Sequence, residues 1–165
     1  MELTFAPRGI LQIDGASICY KNFSGKPDMF TREGDRSFSL IIPDEGLMKA
    51  LCGEGWNVKV KEARDRDDNP IPGEPPFMHL PVKVKFNDRG PKIYLQTGDR
   101  KTELDEDTVG CLDNAELINV DLDIRPYDWE VNGKSGRTAY LQGMCATQAI
   151  DRFSARFAED EYPEE

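Results

Sequence analysis

The sequence predicts a mainly β protein, a small barrel closing on one long late hairpin, and two observations carry that reading. Residues Leu117–Gln148 form two extended segments around a turn. In the first, Val120, Leu122 and Ile124 alternate with Asp121, Asp123 and Arg125, the two-residue period of a strand buried on one face. Asn132-Gly133 and Ser135-Gly136 accept positive φ and let the chain reverse. The return run Thr138–Thr147 holds no proline and can pair fully. The second observation is Val58-Lys59-Val60-Lys61, echoed by Val82-Lys83-Val84-Lys85-Phe86, the same alternation on a smaller scale.

A chain of 165 residues forms one domain and buries a core without metal or disulfide staples. The expected boundaries are a domain over 1–158 and an acidic, disordered tail over 159–165, AEDEYPEE being the end of the chain. Cys19, Cys52, Cys111 and Cys145 are widely spaced, form no C-x-x-C pair and have His79 as the sole histidine partner. They read as reduced, mostly buried thiols rather than zinc ligands. The start MELTFAPRGIL has no basic segment followed by an apolar one, and no run reaches the roughly 18–20 apolar residues of a membrane span, so a cytoplasmic protein is expected. The net charge of −10 argues against a polyanionic ligand, but its distribution does not. Through Lys101 there are 16 basic and 15 acidic residues, and from Thr102 onward 5 basic and 16 acidic. An almost neutral body carrying an acidic last third fits a domain that works on something polyanionic.

Taken in order, Leu3–Phe23 reads as a bent or interrupted first strand broken at Gly9 and Gly15, and 24–35 as a loop. Ser37–Ile42 is a strand running into Pro43. A short helix follows to Glu54, with Asp44 and Glu45 at its positive end and Leu47, Met48, Ala50 and Leu51 as its buried side. WNVKVK (56–61) is a strand, and 62–76 an exposed, mobile loop. Phe77–Phe86 is a strand with Pro81 marking an edge or bulge, and Pro91–Thr97 is expected to return beside it after a tight turn. The acidic stretch 98–110 reads as loop or brief helix. After the hairpin, Ile150, Phe153 and Phe157 are spaced for one side of a short docking helix.

Each Val-Lys-Val-Lys segment is expected to place its valines in the core and both lysines on one outer face. Two such strands make a lysine stripe, which suits a phosphate backbone through counterion release. Exposed strands also use lysine to block edge-to-edge association, and that reading stays open. Aromatic rings are the second ingredient of single-strand binding, because bases stack on them regardless of sequence. Tyr94, Tyr127, Trp129 and Tyr140 are candidates beside Arg125, Lys134 and Arg137; Phe38, Phe77 and Phe86 read as core, and Trp56 fits either role. Catalytic patterns are weaker. Asp121 and Asp123 share a strand face, but Asp128, Glu130 and Lys134 lack the E-x-K spacing of restriction-type nucleases, and no glycine-rich phosphate loop occurs.

In the order of its pieces the chain resembles the phage-encoded single-stranded DNA-binding proteins of the phage T7 type. The residues that carry this are an early strand and loop, SFSLIIPDEGLMKAL entering a helix through Ile-Pro, the central basic strands, VDLDIRPYDWEVNGKSGRTAYLQG and the acidic end, together spanning Ala16 to Glu165. The resemblance implies an OB-fold-like five-stranded barrel with one interposed helix, single-stranded DNA in a groove, a homodimer in the bacterial host cytoplasm, and a tail that contacts replication or recombination enzymes. A tail of that type ends in an aromatic residue, whereas this chain ends Tyr162-Pro163-Glu164-Glu165.

The expectation is a non-catalytic protein, without metal or cofactor, that coats single-stranded DNA in phage replication or recombination. Its DNA-binding residues, inferred from this chain alone, are Lys59, Lys61, Lys83, Lys85, Tyr94, Arg125, Tyr127, Trp129, Lys134 and Arg137. The rival is an acidic inhibitor that imitates DNA to occupy a nuclease or host defence enzyme, using Glu103, Asp105, Glu106, Asp107, Asp113, Asp121 and Asp123. A small virion structural protein is neither supported nor rejected.

Overall fold

The computed structural model describes residues 1–27, 32–87 and 90–149. The helix expected at Ile150, Phe153 and Phe157 and the tail 159–165 lie outside the described residues.

Glycines at positive φ, Gly9 at 76° and Gly15 at 67°, break the first segment so that it becomes three strands rather than one interrupted strand. These are β1 (Glu2–Phe5), β2 (Leu11–Asp14) and β3 (Ile18–Asn22), followed by β4 (Arg36–Ile41). Helix α1 (Glu45–Gly53) starts where the sequence places it, its N-terminus capped by Asp44, whose carboxylate accepts from the Leu47 N–H at 2.7 Å. Of its expected buried side, Leu51 is fully buried, Leu47 and Met48 are half-buried, and Ala50 is exposed. Trp56, just beyond, is in the core. Next come β5 (Lys59–Lys61), β6 (Phe77–Val84), β7 (Lys92–Thr97) and β8 (Arg100–Leu104). The hairpin follows as β9 (Leu117–Val131) and β10 (Lys134–Gln148), joined by Asn132 and Gly133, both at positive φ as a two-residue hairpin turn requires.

The ladder runs β1-β2-β9-β10-β6-β4-β3, with β5 on β6, β7 on β10, and β8 on β7. The fold is mainly β with one α-helix, as expected; among the described residues there are ten strands, and the ladder path does not close on itself. The long hairpin is its organiser, as expected. β9 pairs with β10 along its whole length and holds β2 on its other side.

β10 changes partner partway. Ala139 and Tyr140 pair with β6, and Gly143–Gln148 pair with β7, both parallel. A register shift between Leu141 and Gly143 marks the change, and such a bulge bends the strand toward its new neighbour. Hence β7 does not return against β6, as the tight turn suggested; it continues along β10, where Ile93 is buried. The stretch 98–110 also departs from expectation, since Arg100–Leu104 is a strand antiparallel to β7. Only Leu104 of it is buried, so its charged alternation hid an edge strand.

One face of the sheet is the core. Val120, Leu122 and Ile124 of β9 meet Leu11 and Ile13 of β2, Leu80, Val82 and Val84 of β6, and Phe23 stacked on Phe38 at 5.3 Å between centroids. Burial of that apolar area is the dominant stabilising term.

Candidate nucleic-acid interface

Residues opposite each other on paired strands share a face. On β6 the core side is Met78, Leu80, Val82 and Val84, so Phe77, His79, Pro81 and Lys83 point outward. Lys59 lies opposite His79, and Lys61 opposite Phe77. Lys83 lies opposite Tyr140, which in turn lies opposite Arg125. Register alone therefore gathers Lys59, Lys61 and Lys83 on one surface with Tyr140 and Arg125. Lys85 follows Lys83 by two residues, and both line one concavity with Tyr140, Ser37 and Phe86. A second hollow, about 530 Å³, carries Lys59 and Lys83 beside Trp129 and Thr138; a third joins Lys85 to Arg125 and Arg8. Lys83 lines the first two hollows and Lys85 the first and third, so the three adjoin as a trough along the lysine face.

The expected burial of the valines holds for β6; in the first segment Val58 packs half-buried against the core and Val60 is exposed. Val60 is 52% exposed because β5 is a three-residue edge strand with β6 as its ladder partner. The lysines are exposed on both strands. Among the described residues, Lys59, Lys61, Lys83 and Lys85 form no ion pair, whereas Arg36, Lys49, Arg64 and Arg137 do. Four ammonium groups left to solvent on one face are held available for an anion.

The aromatic candidates divide. Tyr127, 54% exposed, meets Tyr140 edge-to-face at 6.0 Å, and the Arg125 guanidinium lies 4.8 Å from the Tyr140 ring centre. Trp129, 39% exposed, lies over Gly136, where a Cβ would come within 2.6 Å of the indole. The glycine makes the space that lets the ring lie flat along the hairpin. Lys134 is exposed at the hairpin tip, opposite Val131. Tyr94 stands apart: it sits on β7 beside Asp121 and Asp123, with Lys101 Nζ 4.9 Å from its ring centre.

Arg137 has internal work. Its Nε donates to Asp128 Oδ1 at 2.7 Å and its Nη1 to the Glu54 carbonyl at 2.7 Å, with the guanidinium 5.3 Å from the Trp56 ring centre. It ties the C-terminal end of α1 to the hairpin, and its hydrogen bond holds the Asp128 carboxyl below the usual carboxylate range. Sequence spacing cannot show a bond between residues so far apart along the chain.

Two residues of this face, Phe77 and Tyr20, escaped the sequence reading. Phe77 is half-buried on the lysine side rather than in the core. Phe86 is half-buried and packs against the core, as expected, with Arg36 5.5 Å from its ring centre. Tyr20, on β3, is 60% exposed and meets Phe77 and His79 edge-to-face at 6.1 and 5.5 Å. His79 is 7% exposed, shares a 3.0 Å hydrogen bond between Nδ1 and Ser39 Oγ, and leaves Nε2 without a partner. Burial, then the nearby charges of Lys61 and Lys59, push its pKa below the ordinary value.

Four of the seven acidic residues of the rival reading serve the fold. Asp113 accepts from the Phe23 and Ser24 N–H groups at 2.6 and 3.1 Å and from Ser24 Oγ at 2.6 Å. Asp105 closes its own turn through the Asp107 and Thr108 N–H groups, and Asp121 accepts from Gly15 N–H at 3.0 Å. Glu106 pairs with Arg36 at 3.5 Å. Carboxylates engaged this way are poor mimics of a phosphate row. Among the described residues, no cluster of His, Cys, Asp and Glu is arranged to hold a metal ion, and no helix is long and apolar enough to cross a membrane.

A lysine row with no ion pair among the described residues, set beside exposed rings on an open β-sheet, is the kind of surface on which a single-stranded polynucleotide can lie. The chain belongs to the family of putative phage ssDNA-binding domains, whose model matches residues 4–164. Its fold is similar to that of the single-stranded DNA-binding protein from bacteriophage Enc34 in complex with ssDNA, with a TM-score of 0.56, 14% identity, and 92% of this chain and 93% of that one covered. The same phage protein described without ssDNA gives a TM-score of 0.54 at 14% identity, covering 93% of each chain. The T7 protein gp2.5 aligns over 92% of this chain and 93% of its own at 12% identity, with a TM-score of 0.39, too low to carry an argument. No curated protein sequence matches.

Proposed function

We propose that this protein coats single-stranded DNA during phage replication or recombination, without catalysing a reaction, and that the trough is where the strand lies. Phosphates would follow Lys59, Lys61, Lys83, Lys85 and Arg125 while bases stack on Tyr127, Trp129 and Tyr140. The observation that supports this is the sharing of one sheet face by four lysines that form no ion pair among the described residues. Titrating Trp129 fluorescence with oligo-dT at rising salt tests it. The expected quench weakens with salt by about 0.7 log units of affinity per log unit of salt for each phosphate neutralised. No quench and no binding up to tens of micromolar protein would favour the inhibitor instead.

Finer parts of the reading are proposals on the same footing. A five-stranded OB-like barrel would draw its staves from β2, β9, β10, β6 and β4. Assembly as a homodimer and a tail that contacts replication enzymes rest on the family resemblance. The charge split of the sequence motivates one more: residues 159–165 compete for the trough when DNA is absent. Deleting them should tighten oligo-dT binding at low salt, and unchanged affinity would remove that competition.

A further inference from the structure

We infer that Tyr20 is a second stacking station for a base, at the far end of the lysine trough from Tyr140. The inference rests on the proposed function and extends it to β3 and to a residue that no charge pattern marks. β3 begins in plain alternation, with Ile18 opposite Leu40 and Cys19 opposite Ser39. Continued, that alternation would turn Tyr20 toward the core. The register instead breaks between Cys19 and Asn22, and Tyr20 takes φ +50°, a left-handed conformation rare for a bulky residue. The chain thus departs from regular pairing to bring this ring out onto the lysine face. Strained backbone persists only where its surroundings hold it, and it clusters at binding sites.

The surroundings here suit a base. Phe77 and His79 stack on each other at 5.3 Å and fix the Tyr20 ring edge-to-face. Lys61 Nζ lies 5.6 Å from its centroid, placing a phosphate partner beside a stacking surface. Although three neighbours hold it, the ring stays 60% exposed. Burial of hydrophobic rings alone would have covered it. The neutral His79 ring completes an uncharged wall behind it. Along β6, His79 and Lys83 are four residues apart, about 13 Å at strand rise. Room for a few nucleotides therefore separates this station from Tyr140, with Lys59 opposite His79 at the Tyr20 end.

Tyr20→Gly tests the idea, because it removes the ring and relieves the positive φ together. Expected is a 5- to 150-fold loss of affinity for oligo-dT, the range for one lost base–aromatic stack. The salt slope should not change, since no phosphate contact is removed, and Tyr20→Trp should bind as the wild type does. Wild-type affinity in Tyr20→Gly overturns the inference. A wild-type protein that fails to bind oligo-dT would overturn the proposed function itself, so the two failures are distinguishable. If Tyr20→Gly does not fold, photo-crosslinking of 5-iodouridine-substituted oligo-dT to the wild type decides. Adducts at Tyr20 uphold the inference; adducts confined to Tyr127, Trp129 and Tyr140 overturn it.

Discussion

The two halves of β10 offer the plainest comparison in the molecule. Before the bulge at Leu141–Gly143, its outer side presents Tyr140 beside Lys83 and Arg125. After it, the same strand lies beside Tyr94, Asp121 and Asp123. Both halves pair a tyrosine with charged neighbours, and both belong to one ladder. What separates them is the sign of charge on β9, which changes between Asp123 and Arg125, and the partner strand, which changes from β6 to β7. An aromatic ring on a sheet is therefore not by itself a marker of DNA contact; on the proposed reading the electrostatic company it keeps decides.

Breaking this contrast gives the largest expected effect. Reversing Lys83 and Lys85 to Glu should lower oligo-dT affinity by about 100-fold or more at low salt and flatten the salt slope by close to two phosphates, measured by fluorescence titration. Next is the ring pair: Tyr140→Ala should cost about 1–3 kcal/mol of binding, while Tyr94→Ala leaves affinity unchanged in the same assay. Equal losses from the two would erase the distinction between the halves. Arg137→Ala acts on the fold instead. Losing its bond to the Glu54 carbonyl should remove about 1 kcal/mol and lower Tm by roughly 2–4 °C in a calorimetric scan.

The smallest effect concerns acid. The folded pKa of His79 lies below its ordinary 6.5, so the unfolded chain takes up the proton first. The stability carried by the neutral ring is thus complete above pH 6.5 and is lost as pH falls toward the folded value. His79→Gln should show a shallower loss of Tm over that interval, and matching slopes would refute the assignment.

Legibility in the sequence followed distance along the chain. The hairpin was readable because period-two burial at Val120, Leu122 and Ile124 and the Asn132-Gly133 turn are local signals. So was α1, through Asp44. The lysine face was readable in part: alternation gave the sides of Lys83 and Lys85, but which strands share that face is a matter of register. The exposure of Val60, the strand at Arg100–Leu104 and the parallel run of β7 on β10 depend on what lies across the sheet. Tyr20 was hidden because a bulge inverts the alternation by which it would be judged, and Arg137 because its partners, Asp128 and the Glu54 carbonyl, are supplied by the fold.

The position of β10 has a consequence for how the protein is made. It borders β9, β6 and β7 and joins them, although among the described residues it is the last strand in chain order. A nascent chain on the ribosome cannot finish its sheet until residue 148 has cleared the exit tunnel. Until then β6 lacks the neighbour that sets Tyr140 beside Lys83, and the growing polypeptide passes the ribosome's own RNA without the complete surface.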